Sequence, residues 1–418
     1  MTQIQTLESG ATLLLERITH VDSCAVGIWF NVGSRHESEA QYGICHYLEH
    51  MVFKGTQKRS SAEIASITDT IGGRFNAYTT KETTAYFAHV MSSNLIIAAD
   101  ILTDMVFNAK LDKSDLELER GVILEEISMY EDSPENLVDD KLFRKMYPNQ
   151  ALGHSILGDK TTLDNLTSKD LRKMRDDFYV PQNAIIAIVG NYKDSDVQKV
   201  IKMFDDLPVG QKPVKKKAEY LSAFVTLERP LEQNHWYLAM ESLPSGHANR
   251  FAKHLMTGIL GGGWSSRLYQ SLRDTHGLCY SVYAHTSPFS DTGILGVYTA
   301  TNSETEEKSI QTACEILTAM ASQGPTQDEL DRHREQIKSN VILGLESTNS
   351  RMNHAVRSFR AHGRVLSTEE IVASYDAVTC SQVRDLMAET LTSPSFSSVG
   401  KVQCADFYQN LVGKFINL

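Results

Sequence analysis

The sequence predicts an α+β protein of two homologous domains, each an antiparallel sheet with helices packed on one face. Three observations carry this expectation. The chain has 418 residues, enough for two cores, since domains usually hold roughly 100–200 residues. Short apolar runs rich in β-formers alternate with longer segments of helical periodicity. The order of these segments in the first half then returns in the second, at a period of about 210 residues. That period is too long for a solenoid and indicates a duplicated domain.

In the first half, residues 25–30 (AVGIWF) and 84–90 (TAYFAHV) read as strands. Leu95, Ile96, Ala99, Leu102, Met105 and Val106 mark a helix, and a second amphipathic helix runs over about 114–130. The run Leu166-Thr167-Ser168-Lys169-Asp170 is a capped helix start, ending before Pro181. The apolar run 184–190 (AIIAIVG) closes the half as a strand. In the second half, 235–240 and 293–298 read as strands, and a helical segment leads into Gly261-Gly262-Gly263. Ile310, Ala313, Ile316, Leu317 and Met320 repeat the helix at 95–106, and Val341-Ile342-Leu343 echoes Val122-Ile123-Leu124. Residues 378–383 match the helix start at 166–171, and Ser398-Val399-Gly400 matches Ile188-Val189-Gly190. The Pro/Gly/Lys-rich stretch between the copies reads as a linker. The expected division is therefore 1–207 and 221–418, joined by 208–220.

Apolar residues make up 41% and charged residues 22%, as in ordinary globular proteins. The net charge of −11 and the absence of a basic face argue against a nucleic-acid partner. The same charge suits cationic substrates, or simply an acidic surface that keeps the protein soluble. No stretch approaches 18 uninterrupted apolar residues, so no membrane span is expected. The N-terminal sequence lacks both a basic segment followed by an apolar run and an Arg-rich amphipathic leader, which points to a bacterial cytoplasmic protein. Cys24, Cys45, Cys279, Cys314, Cys380 and Cys404 form no CxxC pair and read as reduced thiols.

Chemistry concentrates at His46-Tyr47-Leu48-Glu49-His50. On a helix, His46 and His50 stand one turn apart on one face, with Glu49 beside them. Two imidazoles so placed suit a tetrahedral Zn²⁺, and the adjacent carboxylate can take a proton from a metal-activated water. Two surface histidines beside a glutamate would give the same letters. A catalytic zinc needs a third protein ligand and an open position. The helix at 114–130 offers Glu119 and Glu126, two turns apart on one face, whereas Glu117 and Glu125 point elsewhere.

The run His46 to Thr56 (HYLEHMVFKGT) resembles the M16, or inverzincin, metallopeptidases, whose members include the mitochondrial processing peptidase, pitrilysin and insulin-degrading enzyme. The resemblance covers nearly the whole chain and fits the shorter, processing-peptidase-like branch. It implies a zinc-dependent endopeptidase acting on unfolded peptides or presequence-like segments. It implies one Zn²⁺ per chain, held by His46, His50 and Glu126, with Glu49 as catalytic base and Glu119 as an auxiliary glutamate orienting a histidine or the water. Residues 72–79 (GGRFNAYT) resemble the family's strand beside the zinc, so Asn76 and Ala77 are expected to bind the substrate backbone. Residues 272–280 resemble the segment carrying the family's Arg/Tyr pair, here Arg273 and Tyr280. The second copy lacks H-x-x-E-H and is expected to be inactive. A homodimer, or a heterodimer with a paralogue, is implied, with Arg273 and Tyr280 serving a partner's zinc. The alternative is a non-catalytic scaffold or partner subunit of an M16 assembly.

Overall fold

A computed structural model describes residues 2–205, 207, 210 and 212–416. The first half opens with β1 (Gln3–Thr6), β2 (Thr12–Arg17) and β3 (Ser23–Phe30), then α1 (Ile44–Met51) and α2 (Ser61–Thr70). The hairpin β4 (Arg74–Thr79) and β5 (Thr84–Met91) precedes α3 (Leu95–Asn108), α4 (Lys113–Glu131) and α5 (Pro134–Met146). Next come α6 (Lys160–Asn165), α7 (Ser168–Phe178), β6 (Ala184–Gly190) and α8 (Asp194–Asp205). The second half holds β7 (Phe224–Glu228), β8 (Gln233–Ser242), α9 (Arg250–Gly261), β9 (Cys279–Pro288) and β10 (Gly293–Asn302). It continues with α10 (Glu306–Gln323), α11 (Gln327–Gly344), α12 (Thr348–His362), α13 (Thr368–Asp376), α14 (Cys380–Thr390), β11 (Ser395–Gly400) and α15 (Ala405–Gly413). Pro208, Val209 and Gln211 of the expected linker lie outside the described residues, and 212–223 hold neither helix nor strand.

The duplication is visible in the sheets. The first has the order β1-β2-β6-β3-β5-β4 and the second β7-β11-β8-β10-β9. Leaving out β1, the strands correspond one to one. The α+β class holds, with one refinement. Each sheet contains a single parallel pair, β2 with β6 and β7 with β11, and is otherwise antiparallel.

A second refinement concerns the faces. Successive side chains on a strand alternate between faces. In the first sheet Val26, Ile28, Phe30, Ile186 and Ile188 join the core with α1, α3 and α7. Ala25, Trp29, Ile185, Ala187 and Val189 form a separate cluster with Met352, Ala355 and Val356 of α12. In the second sheet Trp236 donates to Ser309 of α10 at 2.9 Å. Tyr237, Ala239 and Ile294 pack instead on Leu137, Val138, Leu142 and Met146 of α5. One helix thus covers the face expected to be open. A strand buried on both sides reads as a continuous apolar run, as β6 does.

The chain forms two compact units, one of residues 1–128, 154–216 and 343–367, the other of 129–153, 217–342 and 368–418. Their composition differs from the continuous stretches 1–207 and 221–418. The equivalent helices α5 and α12 each join the unit built on the other copy's sheet. Among the described residues no helix is long and apolar enough to cross a membrane.

Candidate metal centre

Helix α1 is fixed at its start by an unusual arrangement. Gly43 adopts φ +94°, and a Cβ there would meet the carbonyl oxygen of Leu157 at 2.7 Å. As the N-cap residue, Gly43 has no side chain with which to cap the helix. Instead the buried carboxylate of Glu37 accepts from the amides of Gly43 (2.8 Å) and Cys45 (2.9 Å), two donors left unpaired by the helix itself. Ile44, Tyr47, Leu48 and Met51 are buried in the core. The Tyr47 hydroxyl donates to the Leu116 carbonyl, tying α1 to α4. With that face buried, His46, Glu49 and His50 are displayed together.

Glu126 Oε2 on α4 lies 3.7 Å from His46 Nε2 and 3.6 Å from His50 Nε2. The three ligand atoms fall within 4.8 Å of one another. A tetrahedral ion with bonds of about 2.0–2.1 Å spaces its ligand atoms about 3.4 Å apart, so this donor set fits zinc in both chemistry and spacing. Burial, and then the neighbouring His50, push the His46 imidazole down to about 4. It is therefore neutral near pH 7, its contact with Glu126 is not an ion pair, and a nitrogen lone pair is available. His46 Nδ1 is buried and has no hydrogen-bond partner among the described residues.

Glu119 is buried and stands behind His50, with Oε2 3.0 Å from its Nδ1. Its other oxygen pairs with Lys54 Nζ. Glu49 Oε2 accepts from Thr79 Oγ1 at 2.5 Å. Burial raises the Glu49 carboxyl above its ordinary value, while Thr79 and His50 oppose that shift.

Asn76 and Ala77 lie on β4, the edge strand of the first sheet. Ala77 N donates to Asn76 Oδ1 at 2.8 Å. Across the hairpin Thr80 N bonds Thr83 O at 2.7 Å, so antiparallel alternation turns the amides of Ala77 and Thr79 toward the open edge. Arg273 and Tyr280 meet in the second unit, the guanidinium 4.8 Å from the centre of the Tyr280 ring and 4.9 Å from that of Tyr269. Tyr280 is 79% exposed, which excludes a core role.

Sequence reasoning assigned no role to Glu37, Lys54 or Thr79. Lys54 falls one turn beyond His50, a spacing that could have been read. Nothing in the letters links Glu37 to α1 or Thr79 to Glu49.

Matching buried positions shows what the second copy lost. Ile44, Tyr47, Leu48 and Met51 of α1 correspond to Ala252, Leu255, Met256 and Ile259 of α9, all buried. His254, Thr257 and Gly258 then stand where His46, Glu49 and His50 do. Leu330 of α11 corresponds to Leu116, which puts His333 in the place of Glu119. This phase corrects the echo of Val122-Ile123-Leu124 in Val341-Ile342-Leu343, since Ile123 is buried and Ile342 is 52% exposed. Among the described residues no second metal-binding cluster exists.

The family model described as insulinase (peptidase family M16) matches residues 12–160, and that of the peptidase M16 inactive domain matches 165–337. The chain belongs to peptidase family M16. It is 37% identical to the uncharacterized zinc protease YmxG of Bacillus subtilis, over 93% of this chain and 95% of that one. An uncharacterized zinc protease of Streptomyces coelicolor is 34% identical over 95% of this chain and 89% of its own length. A solved structure titled peptidase M16 inactive domain, from Pseudomonas fluorescens, has the same fold, with a TM-score of 0.90 at 20% identity, covering 96% of this chain and 99% of that one. A protease from Helicobacter pylori aligns with a TM-score of 0.88 at 22% identity, covering 96% and 99%. Family and relatives together support a zinc-dependent peptidase.

Proposed function

We propose that this M16 chain is an endopeptidase that cleaves unfolded peptides at a zinc held by His46, His50 and Glu126. The convergence of those three ligand atoms, with Glu49 on the same helix, is the observation that carries the reading. Zinc held by these residues would supply a Lewis acid for the scissile carbonyl and would lower the pKa of water in the site toward ~7. Glu49 acts as general base, takes the proton and passes it to the departing amine. Glu119 bonds Nδ1 of His50 and so favours the tautomer whose Nε2 lone pair faces the ion.

Substrate enters as a strand. The open edge of β4 offers the Ala77 and Thr79 backbones, and Asn76 holds the added chain. Only an extended segment can pair this way, which favours unfolded peptides. Arg273 and Tyr280 bind substrate carbonyls and the developing oxyanion. In this reading they act on the zinc site of a partner chain, in a homodimer or a heterodimer with a paralogue. The test is digestion of an unstructured peptide, with the fragments read by mass spectrometry. Internal cleavage that stops on chelation and returns with zinc is expected. Cleavage confined to chain ends would overturn the endopeptidase assignment, and cleavage that persists after chelation would overturn the zinc.

A further inference from the structure

We propose that Thr79 is a positioning residue that holds the carboxylate of Glu49 and couples it to the peptide-binding edge of the first sheet. The proposal rests on the peptidase reading above. Among the described residues, Thr79 is the sole hydrogen-bond partner of the Glu49 carboxylate, its Oγ1 donating to Oε2 at 2.5 Å. A donor on one carboxylate oxygen leaves the other for the proton in flight. It also restrains a three-torsion side chain that would otherwise sample several rotamers.

Thr79 is suited to this by its place in the fold. Phe75 and Ala77 pack against the core that includes α1, and by strand alternation Thr79 points to that same face. Its branched Cβ stiffens χ1. Its neighbours are fixed from two sides. Thr80 closes the hairpin on Thr83, and the Thr80 carbonyl accepts from Ser34 N at 3.2 Å. Thr84, its partner on β5, donates through Oγ1 to Val32 O at 3.0 Å.

The backbone of Thr79 does something different from its side chain. Register turns its amide toward the open edge, as it does for Ala77. A peptide pairing along β4 therefore bonds the main chain of the residue whose hydroxyl holds the base. Occupancy of the edge then adds a second restraint on Thr79 and, through it, on Glu49.

The experiment compares wild type, Thr79→Val and Thr79→Ser for zinc content, steady-state cleavage of an unstructured peptide, and crystal structures of the zinc-loaded proteins. Valine keeps the shape and strand preference but removes the hydroxyl. It should bind zinc normally, keep KM, and lose kcat by about 10–100-fold, the size of one lost hydrogen bond to a charged group. Serine should restore most of the rate. In the crystals Glu49 should occupy one rotamer in wild type and several in the valine protein. A valine protein with undiminished kcat, or one whose loss appears in KM alone, would overturn the proposal. So would a single unchanged Glu49 rotamer in both crystals, and this arm decides the matter without any activity. Zinc-loaded wild type that cleaves nothing would instead count against the peptidase reading.

Discussion

Glu119 Oε2 stands 3.0 Å from Nδ1 of His50, on the opposite side of the ring from Glu126. One carboxylate sits behind the imidazole and another in front of it, and both come from α4. The rear carboxylate is buried and shared with Lys54. It can orient the ring without touching an ion.

Glu119→Gln removes that charge and leaves one acceptor oxygen for two donors, Nδ1–H of His50 and Nζ of Lys54. Zinc affinity should fall on the order of 10–100-fold, read by competition with a chelating dye. Unchanged affinity would show that Glu119 has no part in setting the metal site.

Asn76→Ala tests the edge strand. Losing one hydrogen bond to a peptide backbone should raise KM by roughly 3–10-fold and leave kcat within about twofold, the signature of uniform binding. A drop in kcat at constant KM would place Asn76 in the chemical step instead.

Burial pushes the Glu37 carboxyl up from 4.5 to about 7, against the Cys45 and Gly43 amides that favour its charge. The fold thus prefers the protonated form. The stability it contributes is full below pH 4.5 and is lost as pH rises through 7. That interval corresponds to about 3 kcal/mol. Glu37→Gln does not titrate. In zinc-free protein, the stability of wild type relative to this variant, from urea unfolding, should shrink by up to that amount between pH 4.5 and pH 8. A difference that stays constant or grows would contradict it.

The dimer is tested by complementation. Glu49→Gln and Arg273→Ala chains, each inactive alone, are mixed and allowed to exchange. If Arg273 serves the partner's zinc, one of the two sites in the mixed dimer combines an intact base with an intact arginine, and cleavage returns. Confirmed exchange without recovery would place Arg273 within its own chain's chemistry, and an Arg273→Ala protein that is fully active alone would place it outside the chemistry.

The site was legible because its ligands obey local geometry. On a helix His46 and His50 share a face, and periodicity predicts the helix on which Glu119 and Glu126 share another; the choice of Glu126 as third ligand comes from the resemblance to family M16. The partnership of Thr79 with Glu49 and of Glu37 with the start of α1 joins residues distant in sequence, which only tertiary structure brings together. The same limit applied to the fold. The pattern of α5 shows that it has an apolar face, with Leu137, Val138, Leu142 and Met146 at helical spacing. It does not show that this face meets the second sheet. Likewise 184–190 reads as a strand, with no sign that it pairs in parallel with β2, because direction depends on connections and not on composition.

The most direct measurement is zinc content and peptide cleavage in one preparation each of wild type, Glu49→Gln and Glu126→Gln. The account predicts about one zinc per chain in wild type, with cleavage abolished by a chelator and restored by zinc. Glu49→Gln should keep its zinc and lose turnover by on the order of 10²–10⁴-fold, because it removes the base and no ligand. Glu126→Gln should lose the zinc. Full activity in metal-free wild type, or a Glu49→Gln protein without metal beside a Glu126→Gln protein that retains it, would contradict the account.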